Sequence, residues 1–462
     1  MDHNITFSIE ETTSITGTEN DATNEEYLIG LYYRYIHPAH PFALPEDFYR
    51  RNTGLFPAHL RQAICFIASH HTTDRRPPCP KVDEIVEDAS TPEDAFRVQS
   101  LILITLASYA RFERDNGNSA LTAAIAMAGK INLDSDNFGH GHAALFRESW
   151  RRTWWELYTI TGLISLIGGT NVRLTQPLAM TLPYSCEIYG ACQIAQAGTT
   201  EQIQERFYSV PTLEWSSFAY RVEAMRIMTT VLDGFNNSTT FDYDSMSASI
   251  SSYLLSLPAA KCEGLDANGD VDEVMTCGLM IIHLAAICLN FPRSKLAQVG
   301  GFSTVCGTDR GRVASGREDS YSAASLRSAR ALTKLISTHT SLKTLSPCFA
   351  CAVAFSAVVQ LSQYTTVAPP KPPYLRENLQ LQLSALQSLG EVWPIAHVVR
   401  SQLAQFLREV INKAPAKSIA TSAPQSMNDQ LMTEDQWLQD VMNEEMLFDG
   451  GGIPFFGMPF TE

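Results

Sequence analysis

The chain has 462 residues, 45% of them hydrophobic and 18% charged, which is enough apolar material for a sizeable core. Its net charge of -15 and pI near 5.2 exclude nucleic-acid binding through the overall field, since phosphate contacts need clustered cations. Arg50-Arg51, Arg75-Arg76 and Arg151-Arg152 are the densest basic pairs, and none extends into a run.

Residues 1–24 are polar and acidic and read as a disordered start. Seven acids and no Lys or Arg in the first 26 residues are incompatible with a secretory or mitochondrial leader. An aromatic-rich helix is predicted over Tyr27–Tyr35 and stopped by Pro38 and Pro41; a second is predicted over Phe56–Ser69. Asp74–Thr91, with three prolines, reads as a loop. Thr91 is placed to cap a helix with Pro92 in its first turn, apolar on nearly every face through Tyr109. Asn116-Gly117 reads as the turn into a return helix over Ser119–Ile131.

A long helix is predicted over Ala143–Ile167, ended by Gly168-Gly169. Trp150, Trp154, Leu157 and Ile164, with Thr161, form one stripe of it, and Glu148, Arg152 and Glu156 form a charged ladder on another face. Further helices are predicted near 212–234, 243–255, 271–290, 321–341 and 347–363, with a Gly- and Ser-rich surface insert over 293–320. Tyr374–Asn412 reads as one long helix kinked at Pro394. The apolar run Val274–Phe291 carries His283 and Asn290 and reads as a buried core helix rather than a membrane span. No alternating strand pattern of useful length occurs, so the expected fold class is all-α: a large body of packed antiparallel helices over 25–412 with acidic termini.

Candidate chemistry is sparse. His70-His71 and His140/His142 have no Cys or carboxylate at ligand spacing and read as exposed loop histidines. Cys348 and Cys351 form the only C-x-x-C and read as buried small hydrophobes, since ten cysteines without regular spacing imply reduced intracellular thiols. Gly311–Gly316 has the glycine offset of a phosphate loop, but Arg317-Glu318 follows and no strand precedes. These residues predict no catalytic group, metal or cofactor.

Beyond Lys417 the character changes. Residues 426–462 carry eight acids and no Lys or Arg, interleaved with Trp437, Leu438, Val441, Leu447 and Phe448. Dense negative charge resists collapse and leaves such side chains free to contact a partner. On a transient helix Trp437, Leu438, Val441 and Phe448 share a face, which predicts an activation segment within the linker and tail 413–462.

Several segments resemble one family. They are His37-Pro-Ala-His-Pro-Phe42, the Arg97–Tyr109 helix, Ala120–Leu133, Glu148 through Arg151-Arg152-Thr153-Trp154-Trp155 to Tyr158, and Leu182-Pro183. Together they are similar to the fungal-specific transcription factor domain, the middle homology region of fungal Zn2Cys6 zinc-cluster transcription factors. Weaker likeness continues through Ser346–Phe349 and Leu386–Val398. The resemblance implies an all-helical regulatory body in the nucleus, serving a metabolic or secondary-metabolite pathway, with no catalytic residue. Arg151, Arg152, Trp154 and Trp155 carry its most specific motif, whose physical reading is tryptophans packed between helices and arginines paired with Glu148 and Glu156. The family's zinc cluster needs six closely spaced cysteines, and before residue 150 this chain has Cys65 and Cys79 alone. The leading expectation is therefore a regulator that reaches DNA only indirectly, through a DNA-bound transcription factor or a coactivator, without a membrane. Two alternatives stay open: an activator whose zinc cluster is missing from this chain, and a helical protein that binds a small-molecule effector.

Overall fold

The computed structural model describes residues 12–413, apart from 74–76, 91, 169–171, 173, 175–179, 207–213, 237–240, 299–317 and 369–370. The chain runs through α1 (Thr12–Tyr35), α2 (Glu46–Arg51), α3 (Ala58–Ala68), α4 (Val82–Glu87), α5 (Ala95–Ala110), α6 (Arg114–Lys130) and α7 (Ala144–Gly168). The short α8 (Cys186–Gly190) and α9 (Thr200–Glu205) lead to α10 (Ser217–Asn236), α11 (Tyr243–Leu255), α12 (Ala259–Cys262) and α13 (Glu273–Asn290). The chain continues as α14 (Glu318–Ser337), α15 (Phe349–Thr366), α16 (Pro373–Gly390) and α17 (Pro394–Lys413). Among the described residues the fold is all-α; pairing is limited to the isolated bridges Thr181–Thr199 and Leu265–Val271.

Two helices organise the packing. α5 is buried on nearly every side and packs on α3, α6 and α7; α13, likewise buried, packs on α10, α14 and α15. The contact of α7 with α10 joins these two groups, and α17 returns to touch α5. The stretch Glu273–Arg293 is long and apolar enough to cross a membrane, yet 94% of it is buried inside the protein, as a core helix requires. Of its polar groups, Asn290 donates to the Ala286 carbonyl at 2.8 Å, and burial lowers the His283 pKa to about 4.

Several predicted boundaries move. α1 begins at Thr12, so helix reaches back into the segment that composition marks as disordered. Its second half is anchored in the core through Leu28, Ile29, Tyr32 and Tyr33, and adding residues to an existing helix is far easier than nucleating one. The loop predicted over 74–91 contains α4, which buries Val82 and Ile85. Thr91, the predicted cap of α5, lies outside the described residues, and the observed cap is Asp94, which accepts from the Phe96 and Arg97 amides.

The turn between α5 and α6 is at Arg111–Glu113, with Phe112 at φ 63°, and not at Asn116-Gly117. Asn116 instead donates to Ser108 Oγ at 2.8 Å from inside α6. Gly117 is required there because a Cβ would lie 2.7 Å from the Tyr109 ring. The single kinked helix predicted over 374–412 is two helices folded against each other, broken at Glu391–Trp393. The buried Trp393 holds the break by donating its Nε1–H to the Leu345 carbonyl at 3.0 Å.

Candidate functional site: a buried ionic hub around the Pro38–Pro45 loop

Residues Ala39 to Pro45 are all buried, yet they form neither helix nor strand. Pro38, Pro41 and Pro45 lack an N–H, so the segment cannot enter a regular ladder, and each buried carbonyl needs a donor from elsewhere. The fold supplies one to every carbonyl from residue 39 to residue 44. Arg221 Nη1 donates to Ala39 O at 2.8 Å, and the Phe42 amide donates to His40 O at 2.9 Å. Arg152 Nη1 donates to Pro41 O at 3.1 Å. Ser149 Oγ and Gln99 Nε2 donate to Phe42 O at 2.7 and 3.3 Å. The Tyr189 hydroxyl donates to Ala43 O at 2.9 Å, with His37 Nε2 at 3.2 Å, and the Tyr33 hydroxyl donates to Leu44 O at 2.8 Å.

Two carboxylates on α7 hold these donors in place. Glu148 accepts from Arg152 Nε at 2.9 Å, from the Tyr184 amide at 3.2 Å and from Arg151. Glu156 accepts from His40 Nδ1 at 2.6 Å and from Arg221. Burial pushes the Glu156 carboxyl up, but Arg221 and His40 outweigh it and hold the group below its ordinary value. The Arg152 guanidinium also donates to the Tyr184 carbonyl at 2.6 Å and lies 4.0 Å over the Tyr189 ring. Phe218 presents its ring to both arginines, 5.4 Å from Arg152 and 4.2 Å from Arg221. Arg152, Arg221, Glu148 and Glu156 are each at most 1% exposed and balance in charge, as burial of ions requires. Paired and enclosed in this way, the hub is built to hold backbone rather than to turn over a substrate.

The predicted ladder of Glu148, Arg152 and Glu156 holds at its first rung, Arg152 to Glu148, and is corrected at the second: all three residues are buried, and Glu156 pairs with His40 and Arg221 rather than with Arg151 or Arg152. α7 is enclosed on that side by the proline loop and α10, so the face that would meet solvent in an isolated helix meets backbone carbonyls here. Arg151 pairs with Glu148 at the rim, with its side chain 23% exposed. The predicted stripe is buried throughout, and Thr161 returns its hydroxyl to the Leu157 carbonyl at 2.7 Å. Trp155 donates to the Thr181 carbonyl at 2.9 Å, whereas Trp154 is buried by packing alone, with its Nε1–H unpartnered.

His70 and His71 are also corrected. His70 is buried in a single turn after α3, with Nδ1 2.9 Å from the Ile67 carbonyl. His71 stacks on Tyr35 at 4.6 Å and meets Trp393 edge-on, and burial lowers its pKa to about 3. His140 and His142 are exposed as expected. Cys351 is fully buried, and burial raises the Cys348 thiol to about 11, which leaves the pair unreactive at neutral pH. The glycine loop at 311–316 and the tail residues Trp437, Leu438, Val441, Leu447 and Phe448 lie outside the described residues.

Sequence reasoning missed His40, Gln99, Tyr189 and Arg221 as members of the hub. One signal was present: Arg221 stands alone among Phe218, Ala219, Tyr220 and Val222, a position where an arginine must find a buried partner.

No protein-family model matches the chain, and no solved structure matches it. Among curated proteins it is similar to the C6 finger domain transcription factor iacK of Pestalotiopsis fici, with 26% identity over 412 residues. The match takes in 85% of this chain, and the chain spans 61% of that relative's length.

Proposed function

We propose that the protein is a nuclear transcriptional regulator of a secondary-metabolite pathway, a regulatory body rather than an enzyme. In this reading it acts through a DNA-bound transcription factor or coactivator, and residues 426–462 serve as its activation segment. The observation that carries the reading is the similarity to a C6 finger domain transcription factor across 85% of the chain. The hub supports it, because Arg151, Arg152 and their neighbours hold the two motif segments together as architecture.

The test has two arms. Residues 426–462 are fused to an unrelated DNA-binding domain and reporter output is measured in a fungal host. Output well above the DNA-binding domain alone is expected, with loss on combined Trp437→Ala and Phe448→Ala substitution. In the second arm, deletion of the gene is expected to lower transcripts of one metabolite gene cluster; unchanged transcripts throughout would overturn the proposal. A second reading, that a zinc cluster outside this chain supplies DNA binding directly, draws on the chain spanning 61% of its relative. Sequencing the 5′ end of the transcript decides between the two.

A further inference from the structure

α13 begins beside the end of α14, and an ion pair closes the junction. Glu273 is the first residue of α13, and His339 stands two residues past Ser337, the last of α14. A helix N-terminus favours an anion and a C-terminus a cation, so both helices favour the ionised partners. The His339 side chain is 2% exposed. Its Nδ1 lies 2.8 Å from the Leu335 carbonyl, and its Nε2 lies 3.3 Å from Glu273 Oε2. A carbonyl and a carboxylate can only accept, so both ring nitrogens must donate, and only the doubly protonated ring does that. The Thr338 hydroxyl, 3.4 Å from Nδ1, already donates to the Leu335 carbonyl at 2.8 Å.

The second Glu273 oxygen accepts from the Thr344 hydroxyl. Thr344 ends the single turn Leu342–Thr344, and the next residue, Leu345, offers the carbonyl that holds Trp393. The other charges around the junction have different engagements. Lys334 on α14 pairs with Glu263, and Lys343 in the turn is exposed. Asp272, just before α13, accepts from Ser217 and from the Met275 amide, with Lys261 3.8 Å away.

We infer that His339 is a pH-sensitive clamp: its protonated ring ties the end of α14 to Glu273, Glu273 holds the 342–344 turn through Thr344, and loss of the proton releases that turn. Deprotonation leaves a nitrogen lone pair facing a carboxylate, so an attraction becomes a repulsion where no solvent screens it. Burial pulls the pKa of the ring down, but the hydrogen bond and charge of Glu273 outweigh it and hold the group above its ordinary 6.5. A group raised in the folded state stabilises fully below its unfolded pKa, and that stabilisation is lost as pH rises through the folded value. The clamp therefore opens as pH rises above 6.5, the opposite direction to a lowered carboxylate. The inference does not draw on the regulatory reading, so its failure would leave that reading standing.

The test labels the full chain with 15N in its 11 histidines and follows the imidazole nitrogens by NMR as pH is raised. One ring, absent from the His339→Gln spectrum, is expected to carry a proton on both nitrogens at pH 6.5 and to titrate above it. Its midpoint should fall by about one unit or more in Glu273→Gln, the shift expected from losing an adjacent opposite charge. Urea midpoints of the parent and His339→Gln should differ most below pH 6.5 and converge as pH rises. Should either variant fail to fold, the ring is assigned in the parent from its through-space contacts to Thr338 and Leu335, and its own midpoint decides. A His339 midpoint at or below 6.5, an unchanged midpoint in Glu273→Gln, or a stability gap that does not vary with pH would each overturn the inference.

Discussion

Two of the buried polar clusters among the described residues differ in kind. The hub around α7 and α10 is ionic: two arginines, two glutamates and a histidine surround a proline-rich loop. The second lies where α14, α15 and α16 meet and is neutral. There Gln382 donates to Thr333 Oγ1 and Ser356 Oγ, both at 2.7 Å, and Gln360 donates to the same two hydroxyls at 2.8 and 3.2 Å. The difference follows from what each must satisfy. Helices bring their own hydrogen bonds, so three packed helices need only a few neutral side chains to match one another. A buried loop brings a row of unpaired carbonyls, which call for donors with several N–H groups, and arginine is the side chain that supplies them. Arginine in turn requires buried carboxylates.

That contrast can be broken by substitution. Glu156→Ala strands Arg221 and His40 in the interior and should destabilise the protein by about 3–5 kcal/mol, read from urea melts; a loss near zero would mean that the hub is solvated. The sign of its pH dependence follows from the lowered carboxyl. Its stabilisation is complete above the ordinary carboxylate pKa of 4.5 and fades as pH falls through the lower folded value. A series of melts below pH 4.5 should therefore show a steeper decline for the parent than for Glu156→Gln.

Trp154→Ala tests packing without polar bonds on the same helix, and a loss of roughly 3–5 kcal/mol is expected for a truncated buried aromatic. A thermal midpoint equal to the parent's would mean that this face of α7 is not in the core. Arg152→Lys keeps the charge and discards the fork. It should cost roughly 1–3 kcal/mol for each carbonyl left stranded at Pro41 or Tyr184, and a neutral result would show that charge alone suffices. The smallest effect belongs to the neutral cluster. Gln382→Leu leaves Thr333 and Ser356 bonded to the Ala329 carbonyl, so about 1 kcal/mol is expected; a loss comparable to that of Glu156→Ala would erase the distinction between the two clusters.

The legible parts of this protein share one property: they depend on short stretches of chain. Apolar periodicity sets helices at α5, α7, α13 and α15 almost where they occur, because burying an apolar face needs only a regular 3.6-residue repeat. The tryptophan stripe of α7 was readable for the same reason. Boundaries were less so. The turn before α6 depends on Phe112 adopting a left-handed conformation, which Asn116-Gly117 signals far more loudly without using it. The break before Pro394 depends on Trp393 finding the carbonyl of Leu345, a partner distant in sequence.

The hub marks the limit most sharply. By itself the chain determined that α7 carries Glu148, Arg152 and Glu156 at helical spacing, and that His37 to Pro45 cannot form a helix. It left open whether the charged face would meet water or protein, because an isolated helix offers the same ladder in either case. Only the tertiary structure decided that, by laying a proline loop with unpaired carbonyls against α7 and bringing Arg221 of α10 to the other side. The physical reason is that a buried carbonyl must be satisfied wherever the fold places it, and the donor that meets it is chosen by proximity in space, 111 residues away for Pro41 and 182 for Ala39.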